Sequence, residues 1–126
     1  MKFKLDLKSG IPIYVQLKKE ITYAIATGQL KPGEQLPTVR QLAVDMKVNV
    51  NTISRVYSEL EKEGILATKQ GKGTFVNIQG NMLPEHEHDR LDHLIDELFI
   101  EAFKVGYRPD DLLEHIQRRL PRNDKE

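Results

Sequence analysis

Apolar residues recur at steps of three and four positions in three successive stretches between residues 12 and 64, which is the spacing of one face of an α-helix. The first stretch begins at Pro12, a residue type that favours the first turn of a helix, and it ends at Gly28. The third begins at Asn49, a good N-terminal cap, and ends at Gly64. The pattern predicts three helices, with a Pro-Gly turn over residues 30–34 after the first.

The second and third helices have the proportions of a helix-turn-helix. Thr38 and Gln41 are spaced as in a capping box and begin a helix of about eight residues. In the third helix, Ile53, Val56, Tyr57 and Leu60 form an apolar stripe that we assign to the core. The opposite face carries mainly uncharged hydrogen-bonding groups and one arginine: Asn51, Thr52, Arg55, Ser58 and Glu59. Such a face is typical of a helix that contacts base edges in the major groove.

A β-hairpin is predicted after the third helix. Residues 65–68 and 74–77 are two short strand-like runs, and residues 69–73 connect them. Gly71 and Gly73 permit a tight connection that can approach DNA closely, and Lys69 and Lys72 would lie near phosphates. Three helices followed by a hairpin make a winged helix-turn-helix, so we predict a mainly helical fold with a DNA-binding domain over residues 1–78.

The charges of the chain support this division. Its 126 residues carry no net charge, but residues 1–78 hold twelve Lys and Arg against seven Asp and Glu, a net charge of +5. Residues 79–126 hold seven against twelve, a net charge of −5. The basic part suits a polyanion such as double-stranded DNA, and the acidic part should stay away from one.

Composition and hydropathy exclude several classes of protein. The chain has no cysteine, so disulfide scaffolds, thiolate zinc sites and thiol catalysis are excluded. Its apolar runs are too short for a signal peptide or a membrane span. We therefore expect a cytoplasmic protein that does not bind membranes.

The remaining residues predict a dimerisation region. Residues 79–86 have the composition of a linker, residues 87–120 contain two helices, and residues 121–126 form a frayed tail. Two helices cannot enclose a stable core alone, and pairing with a second copy would cover the broad apolar stripe of the first. We expect a homodimer with these apolar residues at its interface: Leu91, Leu94, Ile95, Leu98, Phe99, Ala102, Phe103, Leu113 and Ile116.

A cluster of histidine and acidic residues between Glu85 and His93 suggests an alternative. His88 with Asp92, and Asp89 with His93, are spaced four residues apart on a helix and could bind a divalent metal in a metal-responsive regulator. No HExxH motif accompanies them, so a polar linker and helix start is the favoured interpretation. An acid–base enzyme using this cluster is a weaker alternative, because no nucleophile motif or phosphate loop is present. We predict no enzymatic activity and no cofactor.

The chain also resembles the GntR family of bacterial transcription regulators. The resemblance covers about residues 11–77 and depends on the ordered combination of several short motifs. These are PIYVQL (12–17), GQLKPG (28–33), LPTVRQLA (36–43), NTI (51–53), RVY (55–57), LE (60–61), GIL (64–66) and GKGTFV (71–76). Only about 48 residues follow the hairpin, and this short two-helix region looks like the YtrA subfamily. That resemblance implies a regulator, which we expect to be a repressor, acting on a palindromic operator near transporter genes.

The family resemblance implies roles for single residues. Thr38 and Arg40 match positions that contact phosphates or bases, and Asn49, Asn51 and Thr52 match contact positions at the start of the recognition helix. Residues 71–73 match the glycine-rich tip of the wing.

Two positions depart from the family pattern. Val50 and Ser54 stand where relatives carry arginines that contact bases, and the neighbouring Arg55 is expected to contact a phosphate instead. The operator therefore cannot be copied from relatives.

Each assignment has a structural alternative. Thr38 and Asn49 could serve only as helix caps. Lys69 and Lys72 could simply keep the hairpin soluble. Arg40 could form a surface ion pair with Glu34 or Asp45.

Overall fold

The structure, a computed structural model, describes residues 3–78 and 85–121, with residues 85–88 described by their backbone alone. The described residues form two compact units, one within residues 1–80 and one within residues 81–126. The elements are α1 (Ile13–Ala26), α2 (Val39–Met46), α3 (Val50–Lys62), β1 (Leu66–Lys69), β2 (Gly73–Val76), α4 (Glu85–Lys104) and α5 (Pro109–Arg118). The predicted mainly helical fold with a hairpin is confirmed.

The predicted linker is only partly covered by the structure. Residues 79–84 of the linker and residues 122–126 of the predicted tail lie outside the described residues. Residues 85 and 86, which we assigned to the linker, belong to the first turn of α4. Among the described residues, no helix has the length and apolar character that a membrane crossing requires.

The core of the first unit is centred on α3, which packs against both α1 and α2. Ile53, Val56 and Leu60 of α3 are fully buried, as are Leu17 and Ile21 of α1. Their burial follows from the helical spacing of apolar residues, because residues three and four apart lie on one helix face. The polar residues between them are thereby directed outwards.

Tyr57 lies in the same core, as predicted, with only 6% of its surface exposed. Its hydroxyl donates a hydrogen bond of 2.7 Å to the backbone carbonyl of Pro37, which directly precedes the cap of α2. Burial raises the pKa of this hydroxyl, so it stays protonated and keeps donating. The contact joins α3 to the start of α2.

The turn between α2 and α3 is set by local backbone chemistry. At the start of α2, the Thr38 hydroxyl accepts from the Gln41 amide at 3.1 Å, and the Gln41 side chain accepts from the Thr38 amide at 2.9 Å. The predicted capping box is therefore present. At the end of α2, Lys47 adopts a left-handed backbone, with φ of 57°. This conformation lets the chain turn within two residues into Asn49, the cap of α3.

The wing is larger than the predicted hairpin. Strands β1 and β2 pair antiparallel, with Leu66 opposite Val76 and Lys69 opposite Gly73. Residues 34–36, which follow the turn after α1, also pair with β2. The Leu36 amide donates to the Thr74 carbonyl, and the Val76 amide donates to the Glu34 carbonyl, both at 2.8 Å. The sequence predicted only a turn over residues 30–34, so this pairing was missed.

The second unit consists of α4 and α5, which contact each other. The turn between them is closed by the Tyr107 amide, which donates to the Ala102 carbonyl at 2.9 Å. Ala102 and Leu112 are the buried apolar residues of this unit within the described residues, and they are 9% and 7% exposed. A two-helix unit with so small an interior leaves most of its apolar side chains uncovered.

Candidate nucleic-acid interface

The N-terminal end of α3 presents the polar groups that the sequence singled out. Asn49 and Asn51 are exposed, and Thr52 is half-buried. The Asn49 side-chain oxygen accepts from the Asn51 amide at 2.7 Å, so Asn49 does cap α3. Capping uses only this oxygen, and the side-chain NH2 group keeps two donors for another partner. The helix N-terminus and these donors together suit contact with phosphate or with base acceptors.

Arg55 lies one turn further along α3, in a defined environment. Its guanidinium carbon lies 3.5 Å from the centroid of the Tyr14 ring, at the start of α1. Its Nε donates to Glu59 Oε2 at 3.0 Å. This hydrogen bond raises the pKa of Arg55 and lowers that of Glu59. Asn51, Thr52, Arg55 and Tyr14 together line a shallow depression between α1 and α3.

A second cation from α1 completes this network. Lys18 Nζ donates to Glu59 Oε1 at 3.2 Å and also pairs with Glu63. The hydrogen bond to Glu63, followed by that to Glu59, raises the pKa of Lys18. Arg55 and Lys18 therefore bind different oxygens of the same Glu59 carboxylate, which links α1 to α3.

The start of α2 contributes Thr38 and Arg40, and both are exposed. Thr38 caps α2, but its hydroxyl proton remains available to donate. Arg40 has no ion pair with Glu34 or Asp45 within the described part of the chain, where the Glu34 carboxylate instead accepts from the Lys31 amide at 2.9 Å. The guanidinium of Arg40 is thus not engaged by either acidic neighbour that the sequence suggested.

The tip of the wing is shaped by its two glycines. Gly73 has φ of 126°, and a Cβ at this position would lie 2.5 Å from the Gln35 side-chain nitrogen. That nitrogen donates to the Lys72 carbonyl at 2.9 Å, so Gln35, in the segment before α2, holds the tip in place. Lys72 is exposed, and Lys69 Nζ lies 5.0 Å from the centroid of the Phe75 ring. The two lysines are available to an anion that approaches the tip.

Two features of this surface were not predicted from the sequence. Tyr14 was noted only within the PIYVQL motif, and its contact with Arg55 was not foreseen. Gln35 was not singled out, although it braces the wing tip. The motif containing Tyr14 was visible in the sequence, but its partner on another helix was not.

In the second unit, eight of the nine residues predicted at a dimer interface are exposed. They form the α4–α5 apolar face: Leu91, Leu94, Ile95, Leu98, Phe99, Phe103, Leu113 and Ile116. The ninth, Ala102, is buried within the chain itself. It therefore contributes to the α4–α5 contact in a single copy.

The structure describes only part of the candidate metal-binding cluster. Asp89, Asp92 and His93 are exposed on α4, and the side chains of Glu85 and His88 lie outside the described residues. Within the described part of the chain, no three His, Asp or Glu side chains are grouped as a metal site would require.

Comparisons with known proteins identify the family of the chain. Residues 13–76 match the family of bacterial regulatory proteins, gntR family. The chain is 35% identical over 115 residues to the HTH-type transcriptional repressor YtrA of Bacillus subtilis (strain 168), covering 90% of this chain and 88% of that protein. This similarity necessarily extends beyond the first unit into α4 and α5.

Two solved structures are also similar. One is YtrA from Sulfolobus acidocaldarius, a GntR-family transcription factor, with a TM-score of 0.59, 32% identity and coverage of 77% of this chain and 96% of that chain. The other is AraR(DBD) in complex with operator ORE1, with a TM-score of 0.51, 33% identity and coverage of 60% and 93%. The family match over residues 13–76 contains α1, α2, α3 and both strands of the wing. The chain therefore belongs to the GntR family of DNA-binding transcription regulators.

Proposed function

We propose that this regulator binds a palindromic operator as a homodimer, with the α4–α5 apolar face as its interface. The observation that carries the proposal is the exposure of this face. Its residues range from 39% exposed at Ile116 to 78% exposed at Phe103. Soluble monomers rarely expose a contiguous apolar patch of more than a few hundred Å².

Covering this face would contribute substantial free energy. Fully burying one Leu or Phe side chain contributes about 1.5–3 kcal/mol of stabilising free energy. Each half-exposed residue of this face could therefore contribute about half of that amount when a second copy covers it. A second copy brings the same face, so one symmetric interface satisfies both chains. The dimer also supplies two α3 helices, which is what a palindrome with half-sites about 34–36 Å apart, or a multiple of this, requires.

The dimer is tested by replacing Leu98 and Phe99 with glutamate. Sedimentation should then report a monomer, with much weaker operator binding. The matched control replaces Leu7 and Ile78, which are 79% and 67% exposed in the first unit, with glutamate, and it should remain a dimer. A persistent dimer after the α4 substitutions would place the interface elsewhere.

The DNA-contacting surface of the proposal comprises α3, the start of α2 and the wing tip. Asn51 and Thr52 contact base edges, because their side chains pair with base donors and acceptors at the N-terminal end of α3. Arg40 and Arg55 bind phosphates. Thr38 and Asn49 contact DNA with the groups that capping leaves unused. Lys69 and Lys72 bind phosphates beside Gly71 and Gly73.

The regulatory outcome that we propose is repression. It is supported by the similarity to YtrA, which is named a repressor. The proposal includes transporter genes as targets, a cytoplasmic location with the DNA, and action without catalysis, cofactor or membrane. Footprinting on the promoter of its own operon, with a reporter gene measured in a deletion strain, tests it. Unchanged or lower reporter expression on deletion would contradict repression.

A further inference from the structure

We propose that Tyr14 and Glu59 are positioning residues that hold the Arg55 guanidinium in one orientation for a single DNA phosphate. The inference rests on the proposed contact between Arg55 and DNA. It assigns a function to Tyr14, which packs against the core of the first unit and whose ring centroid lies 3.5 Å from the Arg55 guanidinium carbon.

Two contacts restrict the guanidinium. The guanidinium carbon lies over the Tyr14 ring, and Glu59 Oε2 accepts from Nε at 3.0 Å. The hydrogen bond to Glu59 uses Nε and not the two terminal amino groups, and the side chain is 54% exposed. These amino groups can form paired hydrogen bonds to two oxygens of a phosphate.

Holding Arg55 in advance favours binding. A long, free arginine side chain loses much conformational freedom when it binds, and an ordered side chain loses less. The contacts to Tyr14 and Glu59 exist without DNA, so part of this ordering is complete before DNA arrives. An unrestrained Arg55 would bind the same phosphate more weakly.

Lys18 keeps Glu59 from opposing this role. A carboxylate beside a phosphate site would normally repel the DNA. Here Lys18 donates to the other Glu59 oxygen at 3.2 Å, so both oxygens already have cationic partners. The phosphate that approaches Arg55 thus meets a compensated carboxylate.

The test is a double-mutant cycle on the whole chain, using the duplex that the protein protects on its own promoter. Arg55→Ala should weaken binding and lower the salt dependence by about one ion. Tyr14→Leu should weaken it about two- to fivefold, the size of an exposed cation–π contact. Tyr14→Phe, which keeps the ring, should bind like wild type. In the Arg55→Ala background, Tyr14→Leu should have no further effect.

The outcomes separate this inference from the proposed function. Suppose that Arg55→Ala weakens DNA binding and that Tyr14→Leu lowers the affinity by the same factor with and without Arg55. The positioning role is then wrong, and the contact between Arg55 and DNA stands. If Tyr14→Phe loses as much DNA affinity as Tyr14→Leu, the aromatic ring is not the positioning group. If Arg55→Ala has no effect, both the contact and the inference fail.

A measurement on the wild-type protein covers the case in which Tyr14→Leu does not fold. The Tyr14 ring should shift the Arg55 side-chain proton resonances upfield, because the guanidinium lies over its face. Tyr14→Phe should keep this shift. Unshifted Arg55 resonances in the free wild-type protein would overturn the inference.

Discussion

Replacing Gly73 with alanine should weaken the wing more than the same change at Gly71. Gly73 has φ of 126°, a backbone conformation that residues with a Cβ rarely adopt. The added Cβ would also lie 2.5 Å from the Gln35 side-chain nitrogen, which must then move. Gly71, with φ of 79°, has no atom within 4 Å of a built Cβ. The pair therefore separates backbone strain from steric conflict.

The magnitude follows from these two effects. A positive φ costs a residue with a Cβ about 1–2 kcal/mol. Displacing Gln35 breaks its 2.9 Å hydrogen bond to the Lys72 carbonyl, which contributes about 0.5–1.5 kcal/mol. We expect Gly73→Ala to lower the free energy of unfolding by about 1.5–3.5 kcal/mol, and Gly71→Ala by about 1–2 kcal/mol, because only the strain applies there.

Urea unfolding of each variant measures the difference, and amide hydrogen exchange at Leu36 and Val76 reports the wing itself. Both amides form the backbone hydrogen bonds that join residues 34–36 to β2. In a Gln35→Ala background, the extra cost of Gly73→Ala over Gly71→Ala should become smaller, because the conflict with the Gln35 side chain is gone and only the backbone strain remains. Equal costs for the two glycine variants in the wild-type background would refute the role assigned to Gln35.

Three further predictions concern the helix-turn-helix. Asn51→Ala should relax specificity at one operator position and cost about 1–3 kcal/mol of binding free energy, whereas Arg40→Ala should weaken binding to all sequences alike and reduce the salt dependence by about one ion. Binding titrations on an operator library distinguish these effects, and a sequence-selective loss of affinity only for Arg40→Ala would reverse the assignment. Tyr57→Phe should cost about 1 kcal/mol of unfolding free energy, because the Pro37 carbonyl loses its 2.7 Å donor; an unchanged urea midpoint would contradict this. Lys47→Gly should raise the unfolding free energy by up to about 1 kcal/mol, since glycine adopts φ of 57° without strain. Thermal unfolding measures this effect, and a lower melting temperature of the variant would show that the backbone at Lys47 is not strained.

Local signals in the sequence predicted most of the secondary structure. The capping box of Thr38 and Gln41 involves residues three positions apart, so their spacing alone identifies the start of α2. The exposed positions of Asn51 and Arg55 followed from the 3.6-residue period, because the core took the opposite face of α3. The left-handed Lys47 was not predictable, since its residue type does not favour that backbone.

The amino-acid sequence was sufficient for the helices, the hairpin and the polar face of α3, because periodicity and caps depend on residues within one or two helical turns. Only the tertiary structure joined residues far apart in the chain. The contact between Tyr14 and Arg55 depends on how α1 packs against α3, and the pairing of Leu36 with Thr74 depends on where α2 places the preceding segment. Likewise, the packing of α5 on α4 buried Ala102 while its apolar neighbours stayed exposed. Such contacts arise from the fit of whole elements, which no local spacing of residues encodes.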